Sequence, residues 1–327
     1  MVSNWFSDLW DVIVENIINL ICSLFASGIS NLYENGSKLY DNCAGKAVDI
    51  LTRSSKSMAP GAFAHVQSML TTGFVSLGLL LCTIAFFVAL GQESLEGLRD
   101  KRYEAWIKRI IMYILATGLT ASTPTIMSTL DTWGGAFAGF AKDTMGGEVY
   151  TIADASGSYD SDIESLLDPF TEEKDGKRVA KKDADGNIED GVVGTGFFGF
   201  LIAILYFLST IICGMIILYQ AYTRFFKMLI AIPYAGLGFG ALCGGHELKR
   251  TFDSYLRYVL SIQIAAGTMV MILVIVGSLM TGANAPKGLF GADGTAQLFL
   301  EKIFMCFCGV GLVRSADQLT ERMLGLH

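Results

Sequence analysis

The chain has 327 residues, 52% of them apolar before glycine is counted, and a mean hydropathy of +0.48. Charged residues make up 17%, against about 25% in soluble globular domains, which argues against an ordinary soluble domain and for a membrane protein. The net charge of −7 is unevenly placed: Asp131–Gly194 holds 15 acidic and 6 basic residues, and the remainder is slightly basic. That acidic stretch is no nucleic-acid surface, because phosphate binding needs clustered Lys and Arg.

The first 15 residues carry Asp8, Asp11 and Glu15 and no Lys or Arg, so no cleavable signal is expected. Across Trp5–Phe25, apolar residues recur at Trp5, Leu9, Val12, Ile13, Ile17, Leu20, Ile21 and Leu24. This is the spacing of an amphipathic helix. Its polar face shows acids where an interfacial helix usually shows bases. Docking on a partner or self-assembly is therefore favoured over contact with membrane lipid. Residues 1–67 are predicted to form this extracytoplasmic segment.

A helix needs about 20 apolar residues to cross the hydrocarbon core. Leu70–Leu90 meets this without a charge, and Ile110–Leu130 is a softer second span in which Pro124 introduces a bend. These two spans occupy residues 68–130, joined by a basic loop at 91–109. The acidic loop at 131–194 follows, with turn-rich runs at Ala155–Asp162 and Lys182–Gly191. The C-terminal membrane core, 195–327, contains three further predicted spans, Gly196–Tyr219, Tyr258–Met280 and Gln297–Val313.

Met228–Cys243 is apolar but short, and contains Pro233, Gly236 and Gly240, so a broken or re-entrant segment is predicted there. Arg224 and Lys227 before it, and Lys249, Arg250 and Arg257 after it, place both flanks on the cytoplasmic side by the positive-inside rule. The expected fold class is thus all-α: a polytopic helical membrane protein of about five transmembrane helices, plus the re-entrant or broken segment and the N-terminal amphipathic helix. Its N-terminus is outside and its C-terminus cytoplasmic. A six-span version, with Met228–Cys243 crossing, stands as the alternative. Arg53 and Lys56 on the outside are the main dissent from the five-span scheme.

No sequence pattern for chemistry is present. There is no phosphate-binding loop, nucleophile elbow or zinc-protease motif, so no enzyme activity and no cofactor are expected, and export energy would come from a partner. Cys306-x-Cys308 has only His65, His246 and His327 to complete a metal site, and a packed helix face is the better reading. Asp183-Ala-Asp185-Gly-Asn187-Ile-Glu189 alternates oxygen ligands as calcium loops do. It lacks glycine at the sixth position and glutamate at the twelfth, so a polar turn is preferred. Gly236-x-x-x-Gly240-x-x-x-Gly244 sets small residues on one helix face, permitting close helix packing. Gln263 and Glu301 are the only polar candidates inside the predicted spans, which argues against an ion-coupled pump.

Tyr222-Thr-Arg224-Phe-Phe-Lys227, the Pro233/Gly-rich stretch, and Phe252-Asp-Ser-Tyr255-Leu-Arg257 ahead of a long apolar helix resemble the core of the TrbL-type polytopic channel subunit of type IV secretion (conjugation) systems. The tail Ser315–Leu326 is similar to the ending of Gram-positive members. The resemblance covers about Gly196–Leu326 and implies a five-span protein without catalytic residues. It further implies a homo-oligomer at the base of a translocation channel, contacts with other secretion subunits including cytoplasmic ATPases, and single-stranded DNA with its relaxase as cargo. By the same resemblance, Arg224 anchors at the cytoplasmic interface, and Pro233 and Gly236 shape the broken helix. A small-solute transporter and a DNA-independent protein-export or assembly factor are the alternative functions.

Overall fold

A computed structural model describes residues 2–95, 102–144, 152, 160–174, 177–183, 188–189, 191–244, 246–280 and 295–325. The chain is an all-α polytopic helical protein. Helices α1 (Val2–Thr52), α2 (Ser55–Met58), α3 (Pro60–Met69), α4 (Val75–Leu95), α5 (Arg102–Ala121), α6 (Thr123–Thr144) and α7 (Asp160–Leu167) precede a hairpin of strands β1 (Thr171–Lys174) and β2 (Lys177–Ala180). Helices α8 (Val192–Gly240), α9 (His246–Met280) and α10 (Thr295–Met323) follow. A π-helical turn, Leu70–Phe74, joins α3 to α4, and a 3₁₀ turn, Ala241–Cys243, ends α8.

Among the described residues, four helical stretches are long and apolar enough to cross a membrane: Ile13–Thr52, Pro60–Gly91, Val192–Cys243 and Leu248–Met280. A fifth forms if Trp106–Ala121 and Thr123–Thr144, bent by 63°, count as one span. These are the helices of a multi-pass membrane protein.

Three expectations change. The break predicted at Met228–Cys243 falls elsewhere, because α8 runs unbroken through Pro233. The bent pair is α5 and α6 instead, where Pro124 in the first turn of the second helix lacks the N–H that a continuing helix would bond to the Thr120 carbonyl, and its ring crowds that carbonyl. The N-terminal segment does not stop at Phe25; α1 continues to Thr52 and supplies a candidate span that the amphipathic reading did not count. Conversely, Gln297–Val313 lies in α10, which is not among the candidate spans. Lys302 and Arg314 bound its uncharged run, Ile303–Val313, well short of the roughly 20 residues a crossing needs.

The helices divide between two compact units. The first comprises Met1–Gly45, Glu148–Leu218 and Leu273–Gly311. Its core packs Cys22, Ala26, Ile29 and Tyr33 of α1 and Ala203 and Tyr206 of α8 around Leu166, Leu167, Phe170 and Ala180 from the acidic segment. That segment is anchored on α1 by polar contacts. Asn19 Oδ1 accepts the Ala180 N–H at 3.0 Å, Lys182 Nζ lies 2.6 Å from Glu15 Oε1, and Asp41 Oδ1 accepts the Ile152 N–H at 2.7 Å. Of the acids on the N-terminal helix, Glu15 is thus engaged by its own chain. The hydrogen bond to Glu15 holds the Lys182 ammonium above its usual pKa of 10.5.

The second unit comprises Lys46–Gly147, Tyr219–Ile272 and Leu312–His327. Cys82, Ala85, Ala116, Leu242 and Cys243 form one of its buried apolar clusters, against which Tyr113, Leu119, Leu248 and Phe252 pack.

Candidate functional site

α8 contains two charged residues, Arg224 and Lys227, both in the second unit. A guanidinium buried among helices costs several kcal/mol unless its donors are satisfied. Arg224 is 4% exposed, and each of its nitrogens has an acceptor. Nε donates to the Ile262 carbonyl at 3.3 Å, Nη1 to the Leu51 carbonyl at 3.4 Å, and Nη2 to Gln263 Oε1. Leu51 lies in the last turn of α1, whose carbonyls have no partner within the helix. A cation there also opposes the negative end of the helix dipole. Gln263, pinned by Arg224, donates through Nε2 to Met228 Sδ at 3.1 Å.

On the other side of the corner that follows α1 stands Asp131, 1% exposed within α6. Its carboxylate accepts from Ser55 Oγ at 2.7 Å and from the Lys56 N–H at 3.3 Å. Gly134 and Gly135 let α6 approach closely: a Cβ on Gly134 would strike Gln263, and one on Gly135 would lie 2.9 Å from the Thr52 carbonyl oxygen. Arg224 and Asp131 therefore both hold the break between α1 and α2, the cation on the Leu51 carbonyl and the anion on Ser55 Oγ and the Lys56 N–H.

Arg224, to which the resemblance gives an anchoring role, turns its guanidinium to carbonyls and a carboxamide inside the helix packing. Asp131 is the residue sequence reasoning missed. Position 131 opens the acidic segment and reads as its first solvent-facing charge, whereas α6 runs through it to Thr144. Gln263 was identifiable as a polar residue inside an apolar run. Glu301, the other such residue, is buried on α10.

Three stretches of this unit are bonded to one another. Lys227 of α8 pairs with Asp317 of α10. Arg257 Nη1 donates to the Leu324 carbonyl at 3.1 Å. Tyr255 OH donates to the Ala231 carbonyl at 2.9 Å. Residues separated by up to about a hundred positions in sequence thus form one polar cluster on α8, α9 and the tail.

The glycines of α8 meet different neighbours. A Cβ on Gly236 would strike the Phe74 carbonyl in the π-helical turn, and one on Gly240 would strike the backbone of Gly78. Gly236 and Gly240 are thus where α8 and α4 meet backbone to backbone. Gly244 is not part of that contact, since its Cβ would strike Leu248, four residues on, after α8 has ended. Pro233 sits inside α8 with no break around it.

Among the described residues, no group of three or more His, Cys, Asp or Glu could hold a metal ion. Cys306 is buried and Cys308 half-buried on α10. Most of the Asp183–Glu189 run, the His246 side chain and His327 lie outside the described residues. Comparison of the chain with protein families, with curated proteins and with solved structures finds no match.

Proposed function

We propose that the chain is a membrane-embedded channel or scaffold subunit of a type IV secretion conjugation machine, helping to move single-stranded DNA with its relaxase across the cell membrane. The observation that supports this most is the meeting of the three stretches that carry the resemblance. Tyr222–Lys227, Phe252–Arg257 and the tail from Ser315 are separate in sequence, and Lys227–Asp317 and Arg257–Leu324 tie them together.

In this reading the chain forms a homo-oligomer in membrane lipid, and the basic residues Lys249, Arg250, Arg257, Arg314 and Arg322 mark the cytoplasmic side, where ATPases of the machine would dock. The N-terminus is then outside and the C-terminus inside. The buried charges of the site touch backbone carbonyls and amides, which suits a scaffold held in one shape better than an ion-coupled carrier.

The test is the gene-transfer frequency of a donor with an in-frame deletion of this gene, with and without complementation. Transfer is expected to collapse and to return on complementation while growth stays normal. Unchanged transfer would overturn the proposal and leave solute transport or DNA-independent export.

A further inference from the structure

We infer that the exposed face of α1 over Asn31–Asn42 lines a water-filled path at the depth of the membrane interior. This rests on the channel reading and assigns the path to a surface of this chain.

The argument begins with depth. Gly196–Tyr219 of α8 is a run of apolar and hydroxyl residues without a charge, long enough to cross the hydrocarbon core. The middle of that run packs on α1 within the first unit. Ser37 Oγ and Tyr206 OH are hydrogen-bonded at 2.8 Å, Gly36 lies against Phe207 and Thr210, and Gly214 lies against Tyr40 and Cys43. Residues 36–43 of α1 are therefore level with the centre of the strongest span.

The exposed faces of the two helices at that level differ in kind. On α8 the exposed side chains are Leu201, Leu205, Leu208 and Met215, between 47% and 59% accessible, the surface expected against lipid. On α1 the exposed side chains are Asn31, Asn35, Lys38 and Asn42, which recur at helical spacing over ~16 Å of axis, with Leu39 the one large apolar residue beside them. Asn31 Nδ2 reaches Ser27 Oγ at 3.4 Å and Lys38 pairs with Glu34. Among the described residues, Asn35 and Asn42 have no side-chain partner. An ammonium and several amides facing hydrocarbon would each cost a few kcal/mol, which is why such groups in spanning helices face water or one another. The apolar face of α8 excludes the explanation that this level of the molecule lies outside the bilayer. Water, continuous with an aqueous path, is the environment that satisfies both faces.

The test is substituted-cysteine accessibility in membranes of the producing cell. Asn35→Cys and Asn42→Cys are compared with Leu205→Cys and Leu208→Cys for reaction with a membrane-impermeant methanethiosulfonate. The unsubstituted chain, whose described cysteines are buried apart from half-buried Cys308, sets the background. Reaction needs the hydrated thiolate, so α1 positions are expected to label on the order of ten-fold faster or more than α8 positions. Equal, slow labelling at all four would overturn the inference, and disulfide cross-linking between copies at Asn35→Cys in that case would assign the stripe to a subunit contact. If either variant elutes abnormally, Asn31→Cys and Lys38→Cys carry the same comparison. Fast labelling with unimpaired gene transfer in the deletion strain would keep the aqueous path and remove the conjugation role; slow labelling with lost transfer would do the reverse.

Discussion

Arg224 and Asp131 hold the break between α1 and α2 by opposite means, and each can be removed separately. Arg224→Ala leaves the Ile262 and Leu51 carbonyls and Gln263 Oε1 without their donor, so a loss of about 1–3 kcal/mol is expected, the scale for leaving buried acceptors unsatisfied. Arg224→Lys keeps the charge but offers a point donor for three divergent acceptors, and should recover only part of that loss. The readout is the unfolding midpoint of the detergent-purified protein, and full stability in Arg224→Ala would show that the corner is held by packing alone. Asp131→Asn keeps an acceptor for Ser55 Oγ but replaces the one that takes the Lys56 N–H with an NH2 donor, for an expected cost of about 1–3 kcal/mol in the same measurement. Of this site, Arg224 was legible in the sequence because a lone arginine after a long apolar run is conspicuous. Its role was not, because hydropathy reports that a charge ends an apolar run and not which carbonyls lie nearby. Asp131 was invisible for the opposite reason: an acid at the edge of a stretch with 15 acids carries no signal of its own.

At the level of elements, α8 shows how a local rule gives way to its surroundings. Proline removes one backbone donor and crowds the preceding turn, and three nearby glycines weaken helix propensity, so the sequence predicted a break. The helix continues because Gly236 and Gly240 are needed for the approach to the backbone of Phe74 and Gly78, which a straight helix delivers. Gly238 differs, as its Cβ would meet the side chain of Tyr255 at 2.7 Å, a ring that can shift, whereas Gly240 meets main chain. Gly240→Leu is therefore expected to lower the yield of folded protein more than Gly238→Leu, measured by monodisperse elution; equal effects or the reverse order would remove the α4–α8 contact from the account. Pro233→Ala should restore a main-chain hydrogen bond inside α8 and leave the melting temperature unchanged or higher. A fall would mean that the proline sets a bend on which the packing depends. The bend at Ser122 was legible, since Pro124 stands two residues on. The extent of α1 was not, because beyond Phe25 its pattern mixes Gly28, Gly36, Asn and Lys with apolar residues, and only burial against α8 makes that mixture a helix face.

For the whole molecule, the class was legible from composition: an excess of apolar residues and a shortage of charge are what bilayer solvation demands. The number and identity of spans were less so, because hydropathy weighs every residue as though it met lipid. In α1 the polar residues Ser37 and Asp41 are taken up by other parts of the chain, and in α10 charges on either side shorten the apolar run. The same reasoning bears on assembly. The described helices leave large apolar side chains exposed along α4, α5, α8 and α10, among them Phe87, Ile114, Leu208 and Phe307, while α1 exposes Ile17, Leu20 and Leu24 toward its start and amides and a lysine over Asn31–Asn42. A single copy would set that polar stripe against lipid, whereas copies arranged around a common axis can share water on the polar side and keep lipid on the apolar side. The expected result is thus a complex of several chains when the protein is extracted in a mild detergent and its mass is measured by light scattering with the detergent contribution subtracted. Lys38→Leu, which makes the stripe compatible with lipid, should lower the fraction of assembled complex without lowering the yield of folded chain. A monodisperse single chain in several mild detergents, with Lys38→Leu indistinguishable from it, would count against the scaffold reading and favour a protein that works alone in the membrane.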